Sequence, residues 1–252
     1  MKIIDCEQGS PQWTAIKLGI PSASNFDRVL TPKTRKLSAG AAGYRDELNA
    51  EWWLGMPWNP QASDFMQRGV GMEGEAAQYY HAATGIKPVQ VGFITRDDGM
   101  VGCSPDRLVG EEGLLEIKCL GAKEHVAAIL GRADEYVCQV QGQLAIVTLS
   151  EKDPTPRLWC DRLYYHPRFP LIVRVNRDEE FIGALSAALD GFVRDLLADR
   201  EILKAAGLAP TPPVVPGPKV DFLDNRPLSD FVPPAMTPAE LDARFEGPDP
   251  LF

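Results

Sequence analysis

Along residues 178–206 apolar side chains return every three or four positions, at Phe181, Leu185, Leu189, Phe192 and Leu196, and Gly207 follows them. That spacing predicts one long amphipathic helix stopped by glycine. Helical spacing also marks 10–17, where Ser10 can cap and Pro11 suits the first turn. A second short helix opens at Ser22-Ala23-Ser24 and runs through Phe26, Val29 and Leu30, beyond the break at Leu18-Gly19-Ile20-Pro21. Further helices are predicted over 44–54, 64–84, 123–130 and 136–146, with Gly85 ending the second of these. Strand-like runs lie at 88–95, 100–103, 107–109, 114–119, 157–165 and 171–175, with glycine and acidic turns between the middle ones. Residues 31–43, rich in proline, glycine and basic side chains, read as a flexible loop. No internal repeat is evident.

Beyond Leu208 the periodic apolar face disappears. Many of the 22 prolines fall there, and residues 208–252 carry seven acidic against three basic side chains. The expected organisation is therefore one domain over 1–207 and a proline-rich acidic tail over 208–252, mobile or bound to a partner. A 252-residue chain is long enough for a single α/β core. No apolar run reaches the ~20 residues that cross a bilayer, and residues 1–10 lack the order of a signal peptide, so the cytoplasm is the expected location.

Five scattered cysteines without a C-x-x-C pair argue against a zinc ribbon, an iron–sulfur cluster or a disulfide framework. Reduced thiols, most of them in the core, are expected. The net charge of −9 speaks against general nucleic-acid affinity, yet residues 28–45 hold Arg28, Lys33, Arg35, Lys36 and Arg45 and no acid. That stretch is either a solvated loop or a local contact for a phosphate backbone.

The strongest chemical signal is Ser104-Pro105-Asp106, then nine residues, then Glu116-Ile117-Lys118. On a strand, Glu116 and Lys118 share a face while Ile117 points into the opposite layer. The Gly110-Glu111-Glu112-Gly113 turn folds the Asp106 strand back antiparallel, and register parity then decides the site. If Gly110 faced Gly113, Asp106 would fall opposite Ile117 on the wrong face. A loop of odd length, a bulge, or an Asp106 that has left the strand places it beside Glu116. Two carboxylates and an ammonium on one edge are costly unless a hard cation such as Mg²⁺ binds among them. Such an ion polarises a phosphoryl oxygen, with Lys118 placed to orient water or to stabilise developing charge. The competing reading is an exposed hairpin with a surface Glu–Lys face.

Pro105-Asp106 and Glu116-Ile117-Lys118 resemble the PD-(D/E)xK nuclease signature. The wider chain resembles the phage lambda exonuclease and YqaJ-type viral recombinase family. The likeness runs through Gln8-Gly9-Ser10-Pro11-Gln12-Trp13, Leu18-Gly19-Ile20-Pro21-Ser22-Ala23-Ser24, residues 69–76, 102–108 and 115–119, and the glutamine helix 136–141. It covers about residues 7 to 185 in consistent order. It implies an α/β fold with a central mixed β-sheet flanked by helices, a restriction-endonuclease-like core. Carried over, Asp106, Glu116 and the Ile117 carbonyl ligate Mg²⁺, for which Mn²⁺ substitutes, and Lys118 positions water. Glu73 matches an additional metal-site glutamate, with Glu75 close by as the alternative. Gln139 matches a glutamine contacting the site, although with Gln141 and Gln143 it could simply make its helix polar. Lys17, Ser24 and Ser104 fall where the family binds a terminal 5′ phosphate. Lys17 replaces an arginine and lacks its bidentate fork. Arg107 replaces a glycine, and Leu120 a proline.

The resemblance implies a 5′-to-3′ exonuclease on double-stranded DNA ends, releasing 5′ mononucleotides and leaving a 3′ single strand for recombination. It further implies a ring-shaped homotrimer. Two other readings stand beside it: an endonuclease or branched-DNA cutter on the same core, and a non-catalytic DNA-binding recombination scaffold. Trp13 reads as a core aromatic rather than a DNA wedge, and His81, His125 and His166 receive no chemistry. The end of the tail, Asp249-Pro250-Leu251-Phe252, somewhat resembles the acidic tip of bacterial single-strand DNA-binding proteins and offers a dock for an annealing or recombination partner.

Overall fold

The computed structural model describes residues 1–58, 64–132 and 136–213, with residues 64–70 described by backbone alone. From residue 214 onward the expected acidic tail lies outside the described residues.

Four strands form the mixed sheet that carries the site: β6 (Arg107–Val109), β7 (Gly113–Lys118), β8 (Trp159–Tyr164) and β9 (Leu171–Asn176), in that spatial order. The β7–β8 pair is parallel and the two outer pairs antiparallel. β7 is interior to the sheet, and its sequence Gly-Leu-Leu-Glu-Ile-Lys sends alternate side chains to opposite layers. Leu114 joins a core with helix α5 (Val137–Ile146), helix α6 (Glu179–Ala205) and a short 3-10 helix (Ala23–Arg28). Leu115 and Ile117 join a second core with Ala76 and Tyr80 of helix α3 (Asp64–Thr84). The sheet is thus flanked by helices on both faces. Buried apolar side chains of this size contribute about 1.5–3 kcal/mol each.

Helix α6 follows its sequence pattern closely. Asp178 caps it by accepting from the Phe181 N–H at 2.9 Å, and Phe181, Leu185, Leu189, Phe192 and Leu196 are all buried. Helix α1 (Pro11–Lys17) begins as expected, with Ser10 Oγ accepting from the Trp13 N–H at 3.1 Å. Helix α5 approaches the 3-10 helix closely because Gly142 has no side chain: a Cβ there would lie 2.4 Å from the Phe26 ring. Helix α4 (Ala122–Ile129) follows β7, and Leu120 packs beside its Ala128.

Three features depart from the sequence expectation. Residues 31–43 are not simply a loop: β2 (Leu30–Thr31) and β3 (Lys36–Leu37) pair antiparallel, and helix α2 (Ala41–Leu54) already starts at Ala41. The hairpin closes with Arg35 in the left-handed region at φ 52°, a conformation that a glycine or asparagine search overlooks. At the N-terminus, β1 (Lys2–Ile4) pairs with β4 (Phe93–Thr95), which pairs with β5 (Gly102–Cys103) in a separate three-stranded sheet. Partner strands supply the pairing there, so a three-residue run carries little signal alone. The run expected at 88–95 is strand only at its end, although Val89 bridges Leu108 of β6. After α6 the described chain stays against α2, where the Thr211 N–H donates to the Trp53 carbonyl at 3.2 Å. Among the described residues no helix is long and apolar enough to cross a membrane.

Candidate active site

The turn between β6 and β7 is Gly110-Glu111-Glu112, so Val109 faces Gly113 and Arg107 faces Leu115. One step further, Asp106 stands opposite Glu116, on the face of β7 that also bears Lys118. The odd loop that the chemistry required is the one observed. Asp106 lies just beyond the strand, and its Oδ2 accepts from the Ile117 N–H at 2.6 Å, which fixes the carboxyl across the sheet edge.

Glu116 is 97 % enclosed, with 3 % of its surface exposed, and both of its oxygens are held. Lys118 Nζ donates to Oε1 at 2.7 Å, Gln139 Nε2 to Oε1 at 2.6 Å, and Gln143 Nε2 to Oε2 at 2.6 Å. Lys118 also reaches Gln139 Oε1 at 3.2 Å and lies 4.6 Å from the centre of the Tyr136 ring. A buried carboxylate is tolerable here because an ammonium and two amides replace water around it. Gln139 and Gln143 are four apart on α5 and so share its site-facing side. Gln141 points elsewhere, its amide bridging the Asn176 carbonyl and the Asp178 N–H at the start of α6. Gln143 is the residue that the sequence reading passed over, and its i, i+4 relation to Gln139 was the available signal. Its Oε1 is buried with no hydrogen-bond partner among the described residues.

The acids repel one another. Burial, then the neighbouring Glu116 and Glu73 charges, hold Asp106 well above the usual carboxylate range, and the Ile117 N–H only partly offsets this. Glu73 on α3 is likewise raised by burial and by Glu116, against the pull of Arg107 and Lys118. Burial alone would lower the Lys118 ammonium, but the charge and hydrogen bond of Glu116, together with Asp106 and Tyr136, raise the group on balance. Glu73 lines the same cavity as Asp106 and Glu116, whereas Glu75 accepts from the Tyr165 hydroxyl at 2.6 Å. Arg107 turns back to its neighbour, donating to the Asp106 carbonyl at 2.5 Å. Among the described residues no three His, Cys, Asp or Glu side chains converge in a ready-made metal cage. The acidic side chains that line the cavity are Asp106, Glu116 and Glu73, all oxygen donors.

A cavity of about 430 Å³ joins these carboxylates to Lys17, Ser24 and Ser104. The Ser22–Gly102 bridge and the bond from the Gly102 N–H to the Pro21 carbonyl hold the Ser22-Ala23-Ser24 segment beside the strand leading to Ser104. Gln8 ties a third loop to them, donating to the carbonyls of Val91 at 2.9 Å and Pro105 at 2.8 Å. Trp13, expected in the core, instead forms part of the cavity wall. Its Nε1–H donates to Ser104 Oγ at 2.7 Å, leaving the Ser104 hydroxyl proton available to an anion. Lys17 Nζ sits 3.6 Å from the centre of the Trp13 ring. Burial pushes its ammonium down to about 8, with Glu51 resisting the shift.

The basic stretch is divided. Arg28 makes a two-pronged contact with Glu47 at 2.6 and 2.8 Å, and Arg35 pairs with Glu180 at 2.6 Å and Asp178 at 3.5 Å. Lys33 and Lys36 are exposed on the hairpin. Cys103, Cys138 and Cys160 are core residues. His125 and His166 meet with ring centres 5.4 Å apart and planes tilted by 41°, a contact that their sequence separation conceals.

Residues 12–150 match the YqaJ-like viral recombinase domain. An alkaline exonuclease from Laribacter hongkongensis is 30% identical, with a TM-score of 0.67 over 79% of this chain and 98% of that one. The same protein solved with dAMP matches equally well. A phage-related exonuclease from Haemophilus somnus 129PT, 15% identical, shares the fold with a TM-score of 0.56 over 72% of this chain and 96% of that one. Comparison with curated proteins finds no match. The mixed sheet with helices on both faces agrees with the restriction-endonuclease-like core of these exonucleases. With more than half its length matched in sequence and nearly the whole of a relative's chain matched in structure, this chain belongs to the YqaJ-like viral recombinase domain family.

Proposed function

We propose that the chain is a divalent-cation-dependent DNA nuclease of the PD-(D/E)xK type, acting 5′ to 3′ from the ends of double-stranded DNA. The observation that carries this reading is the single cavity that unites an all-oxygen acidic cluster with a lysine and two serines. One end of it suits a hard cation such as Mg²⁺ or Mn²⁺, and the other suits a phosphate group. The raised Asp106 carboxyl supports the fit, because mutual repulsion among buried acids is what a bound cation relieves. Asp106, Glu116 and the Ile117 carbonyl would hold the ion, with Glu73 beside them. When bound, it supplies Lewis-acid polarisation of the phosphoryl oxygen.

The chain's own residues account for the remainder. Gln139 and Gln143 fix Glu116, so its carboxylate cannot swing away when substrate enters. Lys118 is held by Glu116 and Gln139, both of which line the cavity, and from there its ammonium would orient the attacking water and stabilise charge developing on the phosphate. Lys17, Ser24 and Ser104 take the terminal 5′ phosphate, which sets the scissile phosphodiester one nucleotide further along, at the acidic end. The products are 5′ mononucleotides and a 3′ single-stranded tail suited to recombination. Family likeness favours a ring-shaped trimer around the duplex.

The test is a linear duplex with one labelled strand, with and without a 5′ phosphate, followed over time in Mg²⁺. Wild-type protein is expected to shorten the 5′-phosphorylated strand nucleotide by nucleotide and to leave covalently closed circles intact. Asp106→Ala and Lys118→Ala should each lower the rate by at least about 10³-fold while preserving the fold. Undiminished digestion by both variants refutes the site, and cleavage of closed circles indicates an endonuclease.

A further inference from the structure

Next to the reaction cavity lies a second chamber of about 320 Å³ that the proposed chemistry does not use. Trp13, Lys17 and Ser22 line both cavities, so the two adjoin at the lysine that takes the phosphate. Beyond that boundary the chamber is lined by Trp58, Asn25, the Arg28–Glu47 pair and the buried Tyr44, whose ring Arg28 covers.

Its chemistry differs from that of its neighbour. Lys17 and Arg28 are balanced by Glu47 and Glu51, so the chamber has no net charge to attract a second phosphate. Its ionic groups are already engaged: both Arg28 nitrogens face Glu47, and Glu51 accepts from the Gly19 N–H at 3.0 Å and the Trp58 N–H at 3.4 Å. The exposed Trp58 indole and the Asn25 amide beside a neutral ion pair suit an uncharged planar group with polar edges, which describes a nucleobase on its sugar.

We propose that this chamber is a subsite for one unpaired nucleoside lying 5′ of the phosphate at Lys17. The inference rests on the nuclease reading above. A strand carrying one extra 5′ nucleotide then presents a phosphodiester to Lys17, Ser24 and Ser104 in place of a terminal phosphate. The extra nucleoside enters the chamber, and the next phosphodiester stands at the acidic end. Water adds to that phosphorus, the P–O3′ bond breaks, and the 3′ oxygen leaves with a proton. The first product is a dinucleotide with a free 3′ hydroxyl, and the shortened strand keeps a 5′ phosphate and continues as an ordinary recessed end.

The experiment compares a flush, 5′-phosphorylated duplex with the same duplex bearing one unpaired, 5′-hydroxyl nucleotide, in Mg²⁺, with products separated by size. The expected first product of the overhanging strand is the dinucleotide. Trp58→Ala, at a side chain 57% exposed and outside the reaction cavity, should slow dinucleotide release by about tenfold and leave flush-end digestion unchanged. In EDTA the same variant should bind the overhanging duplex about tenfold more weakly and the flush duplex equally well. If the flush end is digested while the overhang is refused or yields only mononucleotides, the subsite is wrong and the nuclease reading stands. If Trp58→Ala affects both ends alike, the chamber has no selective role. If neither end is digested, the nuclease reading fails and the subsite falls with it.

Discussion

Asp106 concentrates the electrostatic cost of the site. Its carboxyl is raised chiefly by burial and by Glu116, so the folded protein favours the protonated form. Only well below the ordinary carboxylate range, near pH ~2, are both states largely protonated and the cost small. As pH rises through the ordinary carboxylate range toward the raised folded value, the unfolded chain ionises first and stability falls. Asp106→Asn should therefore melt higher than wild type at pH 8 in EDTA, with the advantage shrinking as pH falls toward about 3, and be inactive. A variant that melts lower at pH 8 would show that the carboxylate is already stabilised without an ion. Lys17 gives a second pH dependence. With its ammonium pushed down to about 8 by burial, the free protein loses that cation as pH rises through 8. The preference for 5′-phosphorylated over 5′-hydroxyl ends should decline above that point, and Lys17→Arg should extend it to higher pH. A preference that stays flat to pH 10 in wild type would remove Lys17 from phosphate recognition. Of these residues, Asp106, Glu116 and Lys118 were legible because a strand's two-residue period forces a shared face. The Trp13 contact with Ser104 was not, because it joins positions 91 apart in the chain.

At the scale of elements, the site depends on α5 lying close enough to β7 for two glutamines to reach Glu116. Gly142, between them in sequence, faces Phe26 and permits that approach. Gly142→Ala should force Phe26 or the helix aside, at a cost of about 1–3 kcal/mol in stability. Activity should fall beyond what the unfolded fraction explains, as Gln139 and Gln143 shift. A melting temperature and specific activity equal to wild type would show that the contact yields freely. The helices were visible in sequence wherever an apolar period persisted, as in α6. The β2–β3 hairpin was not, since two-residue strands around a proline-containing turn have no period to read, and Arg35 at positive φ hides the turn. β1 was missed for a related reason: its fit comes from β4, some 90 residues away.

For the molecule as a whole, the charge of −9 has to coexist with a polyanionic substrate. The fold resolves part of this by pairing. Arg28 and Arg35 are spent on Glu47, Asp178 and Glu180, and Arg45 on Asp195 and Asp199. Lys33 and Lys36 remain exposed on the hairpin, so the salt dependence of duplex binding should be shallow and should depend on these two. Replacing both with alanine should weaken binding at every sequence and flatten the slope of log K against log salt by about two. An unchanged slope would place the duplex elsewhere. Reading the chain alone displayed a run of five bases without an acid, but not the acids brought from α2 and α6 to meet three of them. Sequence-distant pairing is invisible without the fold.

The tight turn at Gly110-Glu111-Glu112 also limits how this gene can drift. Gain or loss of a single codon there, if absorbed by β6 sliding one position along β7 instead of by the loop, would turn Asp106 to the Leu115 and Ile117 side, away from Glu116, while leaving the composition of the protein almost untouched. Two codons absorbed in that way would return Asp106 to the face of Glu116, so surviving length changes should be even or be taken up by a longer loop or a bulge in the same hairpin.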